Sequence, residues 1–292
     1  MSRFGRKLLS NTYVTPTGLS ASGIWSMSEI LQARQAAIWP STTASDVTYL
    51  VVAGGGGGGG YQPSYAGGQN GSAGGGGGQV ITGVVNAANP QTYTIVVGAG
   101  GLQPPLNGNQ NYYWGTAYPG GTTSITGNTF GTIVTATGGT GGAPPGQGGT
   151  SGSGYAGAAR LTLGPGYQGG SGGGDSGPGV PATYPWYRGN GGPGTYVAAF
   201  AQFGDSGYFG GGGAGQTLGQ WATHPDYMAY NGSGWTIGGG GSRGDNPGQA
   251  GVTIMRIPLW LMAGVTVTGN PQYAADPTYA YYYWTTGGTI RF

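Results

Sequence analysis

The sequence predicts an all-β protein: a β-sandwich with long glycine-rich loops of polyglycine II type, preceded by one short N-terminal helix. Three observations predict it. Residues 47–60, VTYLVVAGGGGGGG, run from an apolar stretch directly into seven consecutive glycines. All of the 72 glycines except Gly5, Gly18, Gly23, Gly264, Gly269, Gly287 and Gly288 lie within residues 54–251. Strand-like segments of Val, Ile, Thr and Tyr flank that region on both sides, as two ends of one sandwich would.

The glycine content sets the physical problem. Ordering a glycine costs roughly 0.5–1 kcal/mol more than ordering an alanine, and glycine has no side chain to bury. Only main-chain hydrogen bonds can hold such a segment. Gly/Ser tracts are ordinarily flexible linkers. The interleaved aromatics argue for order instead: the chain has 21 Tyr, 8 Trp and 6 Phe, and disordered segments are poor in these.

Bulk properties exclude several classes. Only 5% of residues are charged, where about 25% is usual, so amides and hydroxyls must supply solubility. The net charge is +2 and the basic residues form no run beyond Arg3, Arg6 and Lys7, which opposes a nucleic-acid partner. With no cysteine there is no disulfide framework or thiolate metal site. No stretch approaches eighteen apolar residues and the start lacks a signal peptide's apolar core, so no membrane insertion is expected and the product is made in a cytoplasm.

In chain order, residues 1–21 read as an extended arm. Residues 24–39, IWSMSEILQARQAAIW, are the one helix signal, with Ser26 and Glu29 at capping-box spacing, Trp25 and Ile30 at the staple positions, and Pro40 as the stop. A helix this short is marginal alone, so its apolar face must meet the following domain or sister chains. Residues 1–46 are therefore assigned to assembly, through Trp25, Ile30, Leu31, Ile38 and Trp39, and residues 47–292 to the glycine-rich β domain. Residues 79–88 and 92–97 read as a hairpin turning at Asn89-Pro90-Gln91. Strands are expected at 122–126 and 131–137, the latter again running into glycine. From 138 to 251 glycine recurs every third residue in short runs that slip phase, such as Gly146, Gly149 and Gly152, then Gly238, Gly241 and Gly244. Collagen needs an unbroken repeat. Short segments of the same three-residue-per-turn conformation, packed side by side and paired laterally, tolerate the slips. Strand signals return at 252–258, 265–268, 279–284 and 289–292.

Catalysis finds little footing. Glu29 is a cap, the six aspartates are scattered, and His224 is the sole histidine, so neither a carboxylate pair nor a histidine metal site is expected, and no cofactor. No Gly-Lys-Ser/Thr follows the glycine run, so it is no P-loop, and Arg243-Gly244-Asp245 is a cheap match in such a composition. The informative residues are aromatics in Gly/Pro loops: Tyr112, Tyr113, Trp114 and Tyr118, then Tyr184, Trp186 and Tyr187, then Trp221 and Tyr227. Aromatics on rigid loops offer large contact area at low entropy cost and suit stacking on sugar rings. The alternative is that they cover the glycine layers or fill a subunit interface.

The segments VTYLVVAGGGGGGG (47–60), GGQVITGVVNAANPQTYTIVVGAGG (77–101), TTSITGNTFGTIVTATGGTGG (122–142), GQAGVTIMRIP (248–258) and the closing NPQYAADPTYAYYYWTTGGTIRF together resemble the glycine-rich domain at the distal ends of tail fibres and other virion proteins of tailed bacteriophages. GIWSMSEILQARQAAIWPS (23–41) resembles the helical segment that precedes such domains in marine and cyanobacterial phages. The resemblance implies a non-enzymatic virion structural protein at a tail or fibre tip, a homotrimer bound to other tail proteins and contacting a host surface glycan or outer-membrane protein. It also implies polyglycine II layers whose variable loops bind receptor. The chain has no long fibre shaft ahead of the domain, which leaves a purely structural nozzle, connector or decoration protein open. An ice-binding reading would require regular Thr or Ala rows on one face, which the irregular loops do not show.

Overall fold

The computed structural model describes residues 46–60, 72–87, 91–107, 112–113, 115–144, 146–160, 169–181, 189–215, 237–242 and 246–292. The segment 24–39 expected to be helical lies outside them. All named strands pair antiparallel. In chain order they are β1 (Asp46–Val52), β2 (Val80–Asn86), β3 (Thr92–Val96), β4 (Leu106–Asn107), β5 (Tyr112–Tyr113), β6 (Thr123–Gly127), β7 (Gly131–Ala136), β8 (Thr195–Tyr196), β9 (Tyr208–Phe209), β10 (Val252–Pro258), β11 (Thr266–Thr268), β12 (Gln272–Ala275), β13 (Tyr279–Trp284) and β14 (Gly288–Arg291). One five-stranded sheet has the order β12-β13-β10-β1-β2 and the other β11-β14-β3-β6-β7.

The continuous apolar character of β1 follows from burial on both of its faces. Side chains alternate across a strand. Val47, Tyr49 and Val51 enter one core with Met255 and Ile257 of β10 and with Tyr93, Ile95, Ile125, Val134 and Ile290 of the second sheet. Leu50 and Val52 enter another with Val252, Ile254, Phe200 and Phe209. That second core is roofed by residues 195–209, in which the 3-10 turn Ala198–Phe200 sits between β8 and β9. Trp284 ties the two sheets together, because its indole N–H donates to the Thr268 carbonyl at 2.9 Å.

The hairpin expected between residues 79–88 and 92–97 does not form. β2 pairs with β1 in the first sheet, whereas β3 lies between β14 and β6 in the second. The glycines fix this choice: Gly74–Gly78 continue into β2 and bond beside the glycines that leave β1, so β2 is held in register with β1 before it begins. Tyr93 and Ile95 of β3 meanwhile face the core from the opposite side.

Beyond the strand ends the two sheets merge into one bundle of extended segments. β1, β2 and β10 of one sheet and β3, β6 and β7 of the other all run into glycine at the same end. Packed sheets stand about 10 Å apart because side chains fill the gap. Without side chains the gap closes, and Gly54 from the first sheet donates to the carbonyl of Gly121 from the second at 3.0 Å.

The bonding has a period of three. Gly54, Gly57 and Gly60 donate to the carbonyls of Gly121, Tyr118 and Gly115; Gly55 and Gly58 to those of Gln249 and Asn246; Gly56 and Gly59 to those of Gly76 and Ala73. Donors three apart thus meet the same antiparallel neighbour, as three residues per turn requires. Carbonyls of the run accept from three further segments, through Gly139 and Gly142, through Gly101, and through Gly241. The run therefore has six hydrogen-bonded neighbours.

Residues 73–79 form a second such centre, with donors to Gly170 and Gly173, to Gly241 and Gly238, and to Thr140 and Thr137. Each lateral bond contributes about 1 kcal/mol net, the order of the extra ordering cost of one glycine. Glycine is required because neighbours approach from every side. A Cβ at Gly54, Gly55 or Gly56 would lie 2.1, 2.1 or 2.0 Å from a neighbouring carbonyl oxygen.

Candidate functional site

One end of the bundle lies away from the sheets. Gly57 to Gly60 bond there to Tyr118, Asn246, Ala73 and Gly115. Gly60, Ser72, Ser242 and Asn246 lie at that end. Around the second centre, Gly74 donates to Gly170 and Gly215 to Gly189. A hydrogen-bonded lattice thus holds these residues in fixed positions.

Three of the predicted contact residues fall on described backbone here. Tyr112 and Tyr113 form β5, paired with β4 in the register Leu106↔Tyr113 and Asn107↔Tyr112, a small hairpin rising between Leu102 and Gly115. Tyr118 is held on both sides: its N–H donates to the Leu102 carbonyl at 2.9 Å and its carbonyl accepts from Gly57 at 3.0 Å. Its side chain remains 55% exposed, beside Leu102 at 64%. A fixed backbone with a free aromatic ring is the arrangement that makes contact area available without an ordering cost at binding. Trp114, Tyr184, Trp186, Tyr187, Trp221 and Tyr227, the assembly residues Trp25, Ile30, Leu31, Ile38 and Trp39, and His224 all lie outside the described residues.

Residues 195–209 and β13 carry an aromatic cluster that the sequence reading missed. Phe203 packs against Tyr281 and Tyr283 at 5.5 and 5.8 Å between ring centroids, and the Arg256 guanidinium lies 3.6 Å from the centre of the Tyr279 ring. Asp276 accepts from the Tyr281 hydroxyl and from the amides of Thr278 and Tyr279, each at 2.7 Å. Those bonds, the Tyr281 hydroxyl first, hold its carboxyl below the usual range. Burial pushes the Tyr281 phenol up. The available signal was Phe200, Phe203, Tyr208 and Phe209, bulky residues close together in a glycine-dominated stretch.

Asp175 has a structural task at the sheet–bundle junction, where it is buried and accepts from the Val80 amide at 3.0 Å and from the Ser153 and Thr195 hydroxyls. Among the described residues no group of three His, Asp or Glu side chains is placed to hold a metal ion, and no helix is long and apolar enough to cross a membrane.

The family model of the glycine-rich domain matches residues 32–258. The chain belongs to the glycine-rich domain family. The matched span of this glycine-rich domain begins ahead of β1, takes in the whole bundle and ends with β10; β11 to β14 lie beyond it. No curated protein and no solved structure matches the chain.

Proposed function

We propose that this glycine-rich domain protein is a bacteriophage virion structural protein, a tail-fibre or tail-tip adhesin that contacts the host cell surface. In this reading the two sheets are a β-sandwich, the merged segments are a polyglycine II bundle, and residues 1–46 attach the chain to other tail proteins, as a homotrimer. The observation that carries it is the bundle itself, six-neighboured about its central glycine run and packed mainly by glycine, with one end remote from the sandwich. Such an arrangement separates a rigid stem from exchangeable tips, which is what surface recognition by loops needs. Tyr112, Tyr113 and Tyr118 at that end would meet a glycan or an outer-membrane protein, together with Trp114, Tyr184, Trp186, Tyr187, Trp221 and Tyr227.

A density map of the intact virion tests the proposal. It is expected to place the chain at the tail extremity with the bundle end outermost. A bundle end enclosed between subunits would establish a purely structural component instead, and purified particles lacking the chain by mass spectrometry would refute a virion role altogether.

A further inference from the structure

A six-neighboured lattice has no inherent edge. An outer segment in which amides continued to radiate would template another glycine segment, as an open sheet edge templates another strand. Three outer segments here break that pattern with proline.

In residues 117–121, Ala117 and Gly120 donate to Gly142 and Gly139, and Tyr118 and Gly121 donate to Leu102 and Ala99. The remaining third of the period faces away from both neighbours, and its residue is Pro119, which is exposed. In residues 246–251, Gly248 and Gly251 donate to Gly101 and Gly98 and Gln249 donates to Gly239. The remaining phase is the exposed Pro247 followed three residues later by the exposed Ala250. In residues 178–181, Gly179 donates to Ala156 and Val180 to Asn190. The remaining phase contains Pro178 and Pro181, three apart, both proline and both exposed. The central runs 54–60 and 73–79 contain no proline.

We infer that Pro119, Pro178, Pro181 and Pro247 are lateral stops that end the glycine lattice and prevent it from recruiting a glycine segment of a second copy of this chain. Proline fits because its ring fixes φ near the value of the three-residue helix, so the segment keeps its path. It removes the N–H that a newcomer would need as donor. Its ring also fills the space that a newcomer would enter, beside a lattice in which a Cβ at Gly54, Gly55 or Gly56 would lie 2.1, 2.1 or 2.0 Å from a neighbouring carbonyl oxygen.

The test replaces all four prolines with glycine, and separately with alanine, in the full chain. Sedimentation equilibrium is measured over a hundredfold concentration range, with circular dichroism and urea unfolding as folding controls. The glycine variant is expected to rise to at least twice the weight-average mass of the parent at the highest concentration. The alanine variant, which regains the amide but keeps a Cβ, is expected to stay at the parent mass. A folded glycine variant that keeps the parent mass overturns the inference, as does an alanine variant that associates equally. If the fourfold glycine variant does not fold, Pro119→Gly and Pro247→Gly are measured singly by the same criterion, and the inference fails if neither gains mass.

Discussion

Placing one methyl group at Gly76 tests the reason for glycine in the bundle. A Cβ there would lie 2.0 Å from the Thr150 carbonyl oxygen and 2.4 Å from its carbon, whereas ordinary contact begins at 3.4 Å. The segment 149–152 must therefore move by about 1.4 Å, the difference between those two distances. That segment is held by Thr140 N–H to the Thr150 carbonyl at 2.8 Å, Gly149 N–H to Gly74 at 2.9 Å and Gly152 N–H to Gly77 at 2.8 Å, and a shift of this size takes such bonds past hydrogen-bonding length. Losing three bonds at about 1 kcal/mol each, with overpacking of about 1–3 kcal/mol, outweighs the roughly 0.4–1 kcal/mol that alanine gains by restricting the unfolded chain. Gly76→Ala should therefore destabilise by about 3–5 kcal/mol, read as a fall in the urea midpoint of roughly 2 M at an m-value near 2 kcal/mol/M. Gly287→Ala is the control, since its Cβ would meet only the Ile95 carbonyl oxygen at 3.1 Å. It should stay within about 1 kcal/mol of the parent. A Gly76→Ala protein as stable as the control would refute the close-approach explanation.

Other outcomes follow from individual contacts. Asp175→Ala should cost about 2–4 kcal/mol in urea unfolding, because the Val80 amide and the Ser153 and Thr195 hydroxyls lose their shared acceptor at a buried junction. Trp284→Ala should cost about 3–5 kcal/mol by the same measurement, through the cavity left between the sheets and the lost bond to Thr268. Asp276 has a lowered folded-state pKa, so its contribution is present above an unfolded value of about 3.9 and is lost as pH falls through the lower folded value. Asp276→Asn should flatten that acid limb in a stability–pH profile. Tyr118→Ala should leave unfolding within about 0.5 kcal/mol of the parent, and under the proposed adhesin function it should lower particle adsorption to host cells, whereas unchanged adsorption would remove Tyr118 from the proposed contact surface.

How much was legible depended on whether a local pattern determined the outcome. β1, β2, β3, β6, β7, β10 and β13 were readable as strands because strand-length runs rich in Val, Ile, Thr and Tyr stand out in so glycine-rich a chain. The phase-slipping triplets of glycine were readable as laterally paired segments, and Gly149 and Gly152 do donate to carbonyls three apart, Gly74 and Gly77. The β2–β3 hairpin was misread because short spacing normally decides pairing. Here the deciding bonds join the glycines that lead into β2 to those that leave β1, and nothing in the short spacing between β2 and β3 reports them. The roof at 195–209 was missed for a related reason. Phe200 and Phe209 are buried only because Leu50, Val52 and Ile254 present a second apolar face, and a continuous apolar run does not say which element will cover it. At the candidate site, Tyr118 could be singled out as an aromatic among glycines. That its backbone is clamped by Leu102 and Gly57 could not, since those bonds depend on a lattice assembled from distant segments.

Native-state amide hydrogen exchange of Gly55–Gly59 and Gly74–Gly78 tests the central claim most directly, because each of these amides donates to a carbonyl of another segment and all ten residues are buried. They are expected to exchange as slowly as the amides of β1 and β10, with protection approaching that of global unfolding. Exchange of these glycines at the rate of an unstructured chain, while β1 and β10 stay protected, would contradict a lattice held by main-chain bonds.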